Sequence, residues 1–135
     1  MRFPIPAMEL RLSSGNDLFM ATPHSPPPIL TVTEELLGWS LDRTAGFPKS
    51  HRFTFGQRID RLMLTAIERI IISRYQPELR IQELKALNLD LEILRVLWRI
   101  VHSRKWISQS QLLFVSLRID EVGRMAGAWL KATKR

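Results

Sequence analysis

Hydrophobic residues recur at spacings of three and four along most of the chain, the pattern of helices that bury one face. The clearest stripes predict helices over residues 54–75, 77–105 and 109–133. The predicted core positions of these helices are Phe55, Ile59, Leu62, Met63, Ala66, Ile67, Ile70, Ile71, Ile81, Leu84, Leu87, Leu91, Leu94, Trp98, Val101, Leu112, Val115, Ile119, Val122, Ala126 and Trp129. No segment alternates between apolar and polar residues for any length, so the pattern predicts no sheet.

A shorter first helix is predicted over residues 33–45. The segment 31–34, T-V-T-E, has the form of a capping box, and Gly46 before the segment F-P ends the helix. Its apolar side is supplied by Leu36, Leu37, Trp39 and Leu41. For the fourth helix, Ser108 and Ser110 are both candidate N-caps. Four helices with short connections predict an all-α fold, an antiparallel up-and-down four-helix bundle over residues 31–135.

Residues 1–30 are predicted to be a flexible, disordered N-terminal extension. Six prolines and the segment 13–16, S-S-G-N, leave no stretch long enough for a helix. Met20 precedes the Pro-rich run and is a candidate start of translation, which the intact mass of the native protein would test.

Composition excludes several classes of protein. The chain has 135 residues, enough for one core, and no cysteine, which excludes disulfides, thiolate metal sites and a cysteine nucleophile. The three histidines, His24, His51 and His102, are too scattered for a metal site. The apolar runs are far shorter than the roughly 20 residues of a membrane span, and no signal peptide is evident. We expect a cytoplasmic protein with no cofactor, no metal and no small-molecule substrate.

Positive charge is concentrated in the predicted bundle. Residues 47–135 hold 17 of the 20 Lys and Arg and 8 of the 13 Asp and Glu, and 15 of the 20 basic residues are Arg. A surplus of this size indicates a polyanionic partner, RNA or DNA, because guanidinium groups bind phosphates bidentately and stack on bases. Charge that serves solubility alone is the alternative.

Ten residues are candidates for binding nucleic acid. They are Arg58, Arg61, Arg69, Arg74, Arg95, Arg99, Arg104, Lys105, Arg118 and Arg124. The alternative is a solvated surface with local ion pairs, such as Glu92 with Arg95 or Asp120 with Arg124.

The fourth helix has more apolar surface than one core needs. Phe114 and Leu117 lie off its main stripe, and Gly123 and Gly127 would let another backbone approach closely. Together with Trp129, these residues predict either close packing within one chain or an interface between identical subunits.

Three segments resemble one known family of four-helix bundles. They are F-P-K-S-H-R-F at residues 47–53, L-E-I-L-R-V-L-W-R at 91–99 and E-V-G-R-M-A-G-A-W-L at 121–130. The family includes proteins encoded by intervening sequences in bacterial large-subunit rRNA genes and the accessory variability determinants (Avd) of diversity-generating retroelements. The match covers roughly residues 33–133.

This resemblance implies a non-catalytic protomer of a homopentamer with a basic outer surface. It also implies two partners, a reverse transcriptase and the RNA or cDNA of mutagenic retrohoming. A stand-alone structural bundle of the rRNA intervening-sequence type is the alternative. A remote alternative is a HEPN-like ribonuclease, because Arg95 and His102 fit its loose R-x(4–6)-H spacing on one helix face.

Overall fold

The computed structural model describes residues 28–134, which form four long helices and no strand. We label these helices α1 (Pro28–Thr44), α2 (Gln57–Tyr75), α3 (Arg80–Ser103) and α4 (Gln109–Lys134). Successive helices pack side by side, and α4 returns to contact α1, which closes the ring. The predicted all-α four-helix bundle is confirmed. Within residues 28–134, no helix is long and apolar enough to cross a membrane.

The first helix begins at Pro28, earlier than predicted. Proline suits the first turn of a helix, and the added turn buries Ile29 in the core. The Thr33 hydroxyl donates a hydrogen bond to the Ile29 carbonyl at 2.7 Å, so this threonine lies inside the helix. The predicted capping box at residues 31–34 is therefore wrong. The predicted extension and the candidate start at Met20 lie outside the described residues, except that residues 28–30 belong to α1.

The connection between α1 and α2 is more structured than predicted. A helical turn, Lys49–His51, is followed by a wider π turn, Arg52–Gly56, so that α2 begins at Gln57 rather than at 54. Gly56 is buried there, and a Cβ atom at this position would lie 3.3 Å from Cδ2 of Phe47. The absence of a side chain lets the turn approach Phe47, which is itself in the core.

The last connection contains a second departure from the predicted bounds. α3 ends at Ser103, because the chain turns through Lys105 with a left-handed φ of 64°. The Lys105 amide donates to the carbonyl of His102, and the Trp106 amide donates to that of Val101, which is the Schellman pattern of helix termination. At its other end, α3 begins at Arg80, after a 3-10 turn at Pro77–Leu79.

Ser108 is the N-cap of α4. Its hydroxyl accepts a hydrogen bond from the Gln111 amide at 3.1 Å, and the Gln111 side-chain oxygen accepts one from the Ser108 amide at 2.8 Å. This reciprocal pair is a capping box, and it decides between the two predicted N-caps.

Most predicted core positions are buried, six are half-buried, and two lie at the surface. Leu41 of α1 is exposed because the buried stripe of that helix also uses small polar residues, including Ser40 and Thr44. Ile81 of α3 is exposed because Arg80 takes the buried position beside it. The two wrong core assignments have one cause, because a pattern of hydrophobic residues does not reveal polar residues that face the core.

Candidate nucleic-acid interface

Arg69 is engaged within the bundle. Its Nε donates to Oδ2 of Asp90 at 2.7 Å, and its Nη1 donates to Oε1 of Glu83 at 3.1 Å. The hydrogen bond with Asp90 raises the pKa of Arg69 above its ordinary value. These contacts join α2 to α3 and neutralise the arginine internally, which leaves its guanidinium group committed to the fold.

Arg95 and Arg118 are also paired. Arg95 bridges Asp120 on α4 and Glu92 on its own helix, each at 3.0 Å. Arg118 contacts Glu121 at 3.0 Å and lies over the ring of Phe114. The predicted pair Glu92–Arg95 is confirmed, whereas Asp120 pairs with Arg95 instead of Arg124.

The end of the bundle that holds the α2–α3 turn uses arginine structurally. Arg80 is buried, and its guanidinium donates to the carbonyls of Ser73 and Arg74, which closes the C-terminal end of α2. Burial lowers the pKa of Arg80. The same guanidinium lies over the ring of Trp129, and the half-buried Arg74 lies over the ring of Tyr75.

Six of the ten predicted residues are exposed and form no ion pair within residues 28–134. They are Arg58, Arg61, Arg99, Arg104, Lys105 and Arg124. The first five belong to one end of the bundle, where the α1–α2 and α3–α4 connections meet. Arg124 lies along α4 beside a shallow groove that it lines with Asn88 and Arg95.

We define the loop end as residues 42–61 and 99–107. Its two connections are joined by Trp106, whose ring centroid lies 5.1 Å from that of Phe47, 4.9 Å from that of His51 and 6.0 Å from that of Phe55. The guanidinium of Arg104 lies over the same indole ring. The aromatic cluster therefore joins the two connections, and with them their cations, at one end of the bundle.

Sequence reasoning missed three cations of the loop end, Arg43, Lys49 and Arg52. With them, the loop end holds eight Lys and Arg against two Asp and Glu. Arg52 donates to the carbonyl of Phe47 at 3.2 Å, and Arg43 lies over the ring of Trp39. For Lys49 and Arg52, the position in the turn motif at residues 47–53 was the available signal. A surface of this charge can bind several phosphates of a nucleic acid.

The two residues of the remote ribonuclease alternative keep the spacing along one helix that the sequence indicated. Arg95 and His102 lie about two turns apart on α3, and Arg95 is held by Asp120 and Glu92. Within residues 28–134, no group of three or more His, Cys, Asp or Glu could hold a metal ion.

The five predicted packing or interface residues of α4 are placed differently from one another. Trp129 is fully buried in the core of its own chain. A Cβ atom on Gly123 would lie 3.2 Å from Nη2 of Arg95, so this glycine packs against α3, whereas a Cβ on Gly127 would meet nothing within 4 Å. Phe114 and Leu117 are exposed.

The fold and the loop end define a class of protein, a small four-helix bundle with one strongly basic end. The chain belongs to the bAvd-like family, whose model matches residues 29–133. At the level of the family, it is an accessory variability determinant, as the three sequence motifs indicated. A search of curated proteins found no match to the chain.

Proposed function

We propose that this protein is the non-catalytic accessory protein of a diversity-generating retroelement. It acts in the cytoplasm as a basic homopentameric adaptor that binds the reverse transcriptase and the template RNA or cDNA during mutagenic retrohoming. The observation that carries the nucleic-acid part of this proposal is the loop end. Five of the six exposed, unpaired cations in the predicted set lie there.

The distribution of ion pairs supports this assignment over charge that serves solubility alone. Solubility needs no particular arrangement of cations and is served by charges of both signs spread over the surface. Here five carboxylates of α3 and α4 pair with Arg69, Arg95 and Arg118, away from the loop end. The segregation concentrates positive potential where the two connections meet, which favours a polyanion.

The salt dependence of RNA binding tests the interface. We expect affinity for the template RNA to fall steeply with salt, and the double variant Arg58→Gln/Arg61→Gln to reduce the magnitude of the log–log slope by roughly one to two. The matched control is Lys131→Gln/Lys134→Gln, which removes two exposed cations from the far end of α4. Equal losses in the two variants would contradict a localised interface, and no binding at low salt would favour the stand-alone structural bundle.

Purification from the native host tests the protein partner. A tagged full-length chain is expected to co-elute with a stoichiometric reverse transcriptase, identified by mass spectrometry. Ribosomal proteins alone, or no partner, would contradict the accessory role and favour the rRNA intervening-sequence type. RNA cleavage that disappears in a His102→Ala variant would contradict the assignment as non-catalytic.

A further inference from the structure

Phe53 is the most exposed large hydrophobic residue within residues 28–134, with 74% of its surface open to solvent. It lies in the π turn Arg52–Gly56 and makes no ring contact with any described residue. The neighbouring aromatic residues Phe47, Phe55 and Trp106 all pack in the cluster that joins the two connections. The fold therefore leaves one aromatic ring of the loop end without a packing role.

The surroundings of Phe53 are cationic. Lys49 and Arg52 are exposed in the same connection, and Arg58 is exposed in the first turn of α2. No acidic residue occurs between positions 43 and 59. The Trp106 cluster brings Arg104 and its neighbour Lys105 to this end from the other connection. The loop end therefore offers two kinds of binding group side by side. The exposed ring can pack on a flat apolar surface, and the cations without ion pairs can bind phosphates.

Single-stranded nucleic acid offers both of these chemistries together. Its unpaired bases present open faces that stack on aromatic side chains, while its phosphates contact nearby Lys and Arg. A duplex keeps its bases stacked inside, so it would use the cations and leave the ring in water. A second loop end is a poor occupant, because two strongly positive surfaces would then meet.

We propose that the loop end binds single-stranded nucleic acid, with the Phe53 ring stacked on an unpaired base and the cations of both connections on the flanking phosphates. This inference rests on the proposed function and deepens it, since it names the form of nucleic acid and the residue that distinguishes it. The stacking contact is tolerant of sequence, because every base has an aromatic face.

The test compares two probes on the full-length protein by fluorescence anisotropy at one moderate salt concentration. The probes are a labelled oligouridine single strand and an RNA duplex of equal length. Phe53→Ala is expected to weaken binding of the single strand about tenfold, the lower part of the range for loss of one stacked base, and to leave duplex binding within about twofold. Leu89→Ala, which removes a 63% exposed apolar side chain from α3, is the matched control and is expected to change neither affinity.

Two further variants separate stacking from simple hydrophobic contact. Phe53→Trp keeps an aromatic face and is expected to retain wild-type affinity for the single strand. Phe53→Leu keeps apolar surface without the ring and is expected to behave as Phe53→Ala does. Wild-type binding by Phe53→Leu would overturn the stacking role.

Other results also overturn the inference and are distinguishable from failure of the proposed function. Unchanged single-strand affinity in Phe53→Ala, or equal losses for both probes, would overturn the stacking site while the RNA-binding function stands. Loss of oligomer in sedimentation, or of the co-purifying reverse transcriptase, with RNA affinity intact would assign Phe53 to a protein interface. If the wild-type protein binds neither probe at low salt, the proposed function fails as well.

Discussion

At the residue scale, the role of an arginine in this bundle depends on whether a carboxylate lies within reach. Arg61 and Arg69 occupy the same helix, and the hydrophobic pattern of the sequence treats them alike. Arg69 meets Asp90 and Glu83 on α3, whereas Arg61 projects into solvent with no ion pair among the described residues. The first residue therefore stabilises the fold, and the second is available to a partner.

Replacement of Arg69 is expected to reduce stability without reducing RNA affinity. Arg69→Met leaves the mostly buried Asp90 and Glu83 without their cation, at an expected loss of about 2 kcal/mol in the free energy of unfolding, because the arginine is partly exposed. The pKa of Arg69 is raised, so its guanidinium group is charged at every pH below the ordinary arginine pKa. The loss of stability in Arg69→Met should therefore be seen throughout the neutral range.

Urea unfolding and RNA titration measure the two effects. Arg61→Met is the control and is expected to show the opposite result, with stability changed by less than about 0.5 kcal/mol and weaker RNA binding. A stable Arg69→Met protein with reduced RNA affinity would contradict the structural role.

At the element scale, the end of α3 shows how a helix terminus can carry a cation. The left-handed position after a helix usually holds glycine, because a Cβ atom there is strained, yet Lys105 occupies it. The strain is retained in the connection that also holds Arg104 and Trp106. A lysine at this position supplies the loop end with a charge that glycine would not.

Lys105→Gly is expected to stabilise the protein by about 1 kcal/mol, because glycine adopts the left-handed conformation without strain. Thermal unfolding should show a midpoint about 4 °C higher. Arg104→Gly is the matched control, since it removes one charge from the same connection at an ordinary φ of −85°.

The Arg104→Gly control is expected to lose stability, and both variants are expected to bind RNA more weakly. Destabilisation by Lys105→Gly would show that the lysine side chain stabilises the fold by more than its left-handed backbone conformation destabilises it.

At the scale of the whole molecule, the surface of α4 bears on the proposed assembly of identical subunits. Leu113, Phe114 and Leu117 are exposed near its N-terminal half, and the Phe114 ring lies 5.3 Å from that of Trp39 on α1. This apolar surface extends over two helices, as expected for an interface between subunits. Trp129, by contrast, is fully occupied within its own chain.

A charge on this surface is expected to dissociate the oligomer. Leu117→Glu should shift the sedimentation coefficient of the full-length protein toward that of the monomer, because a buried carboxylate without a partner opposes association. Leu64→Glu is the control, since Leu64 is 50% exposed on α2 against 56% for Leu117. An unchanged oligomer in Leu117→Glu would exclude this surface from the interface.

The sequence by itself determined the helices and most of the core. Helical periodicity is a local property, so the spacing of residues such as Leu84, Leu87 and Leu91 was enough to identify buried faces. The number of helices and the class of fold followed from that periodicity and from the short connections. The family followed from three short segments, one in the connection before α2 and the other two on α3 and α4.

Only the tertiary structure decided which charges are free and where they gather. Asp90 and Glu83 lie 21 and 14 positions from Arg69 in the chain, and no local pattern pairs them. In the loop end, Trp106 likewise contacts the other connection, although α2 and α3 lie between the two connections in the sequence. Ion pairing and the convergence of surface residues depend on how separate helices pack, which periodicity along one helix does not contain.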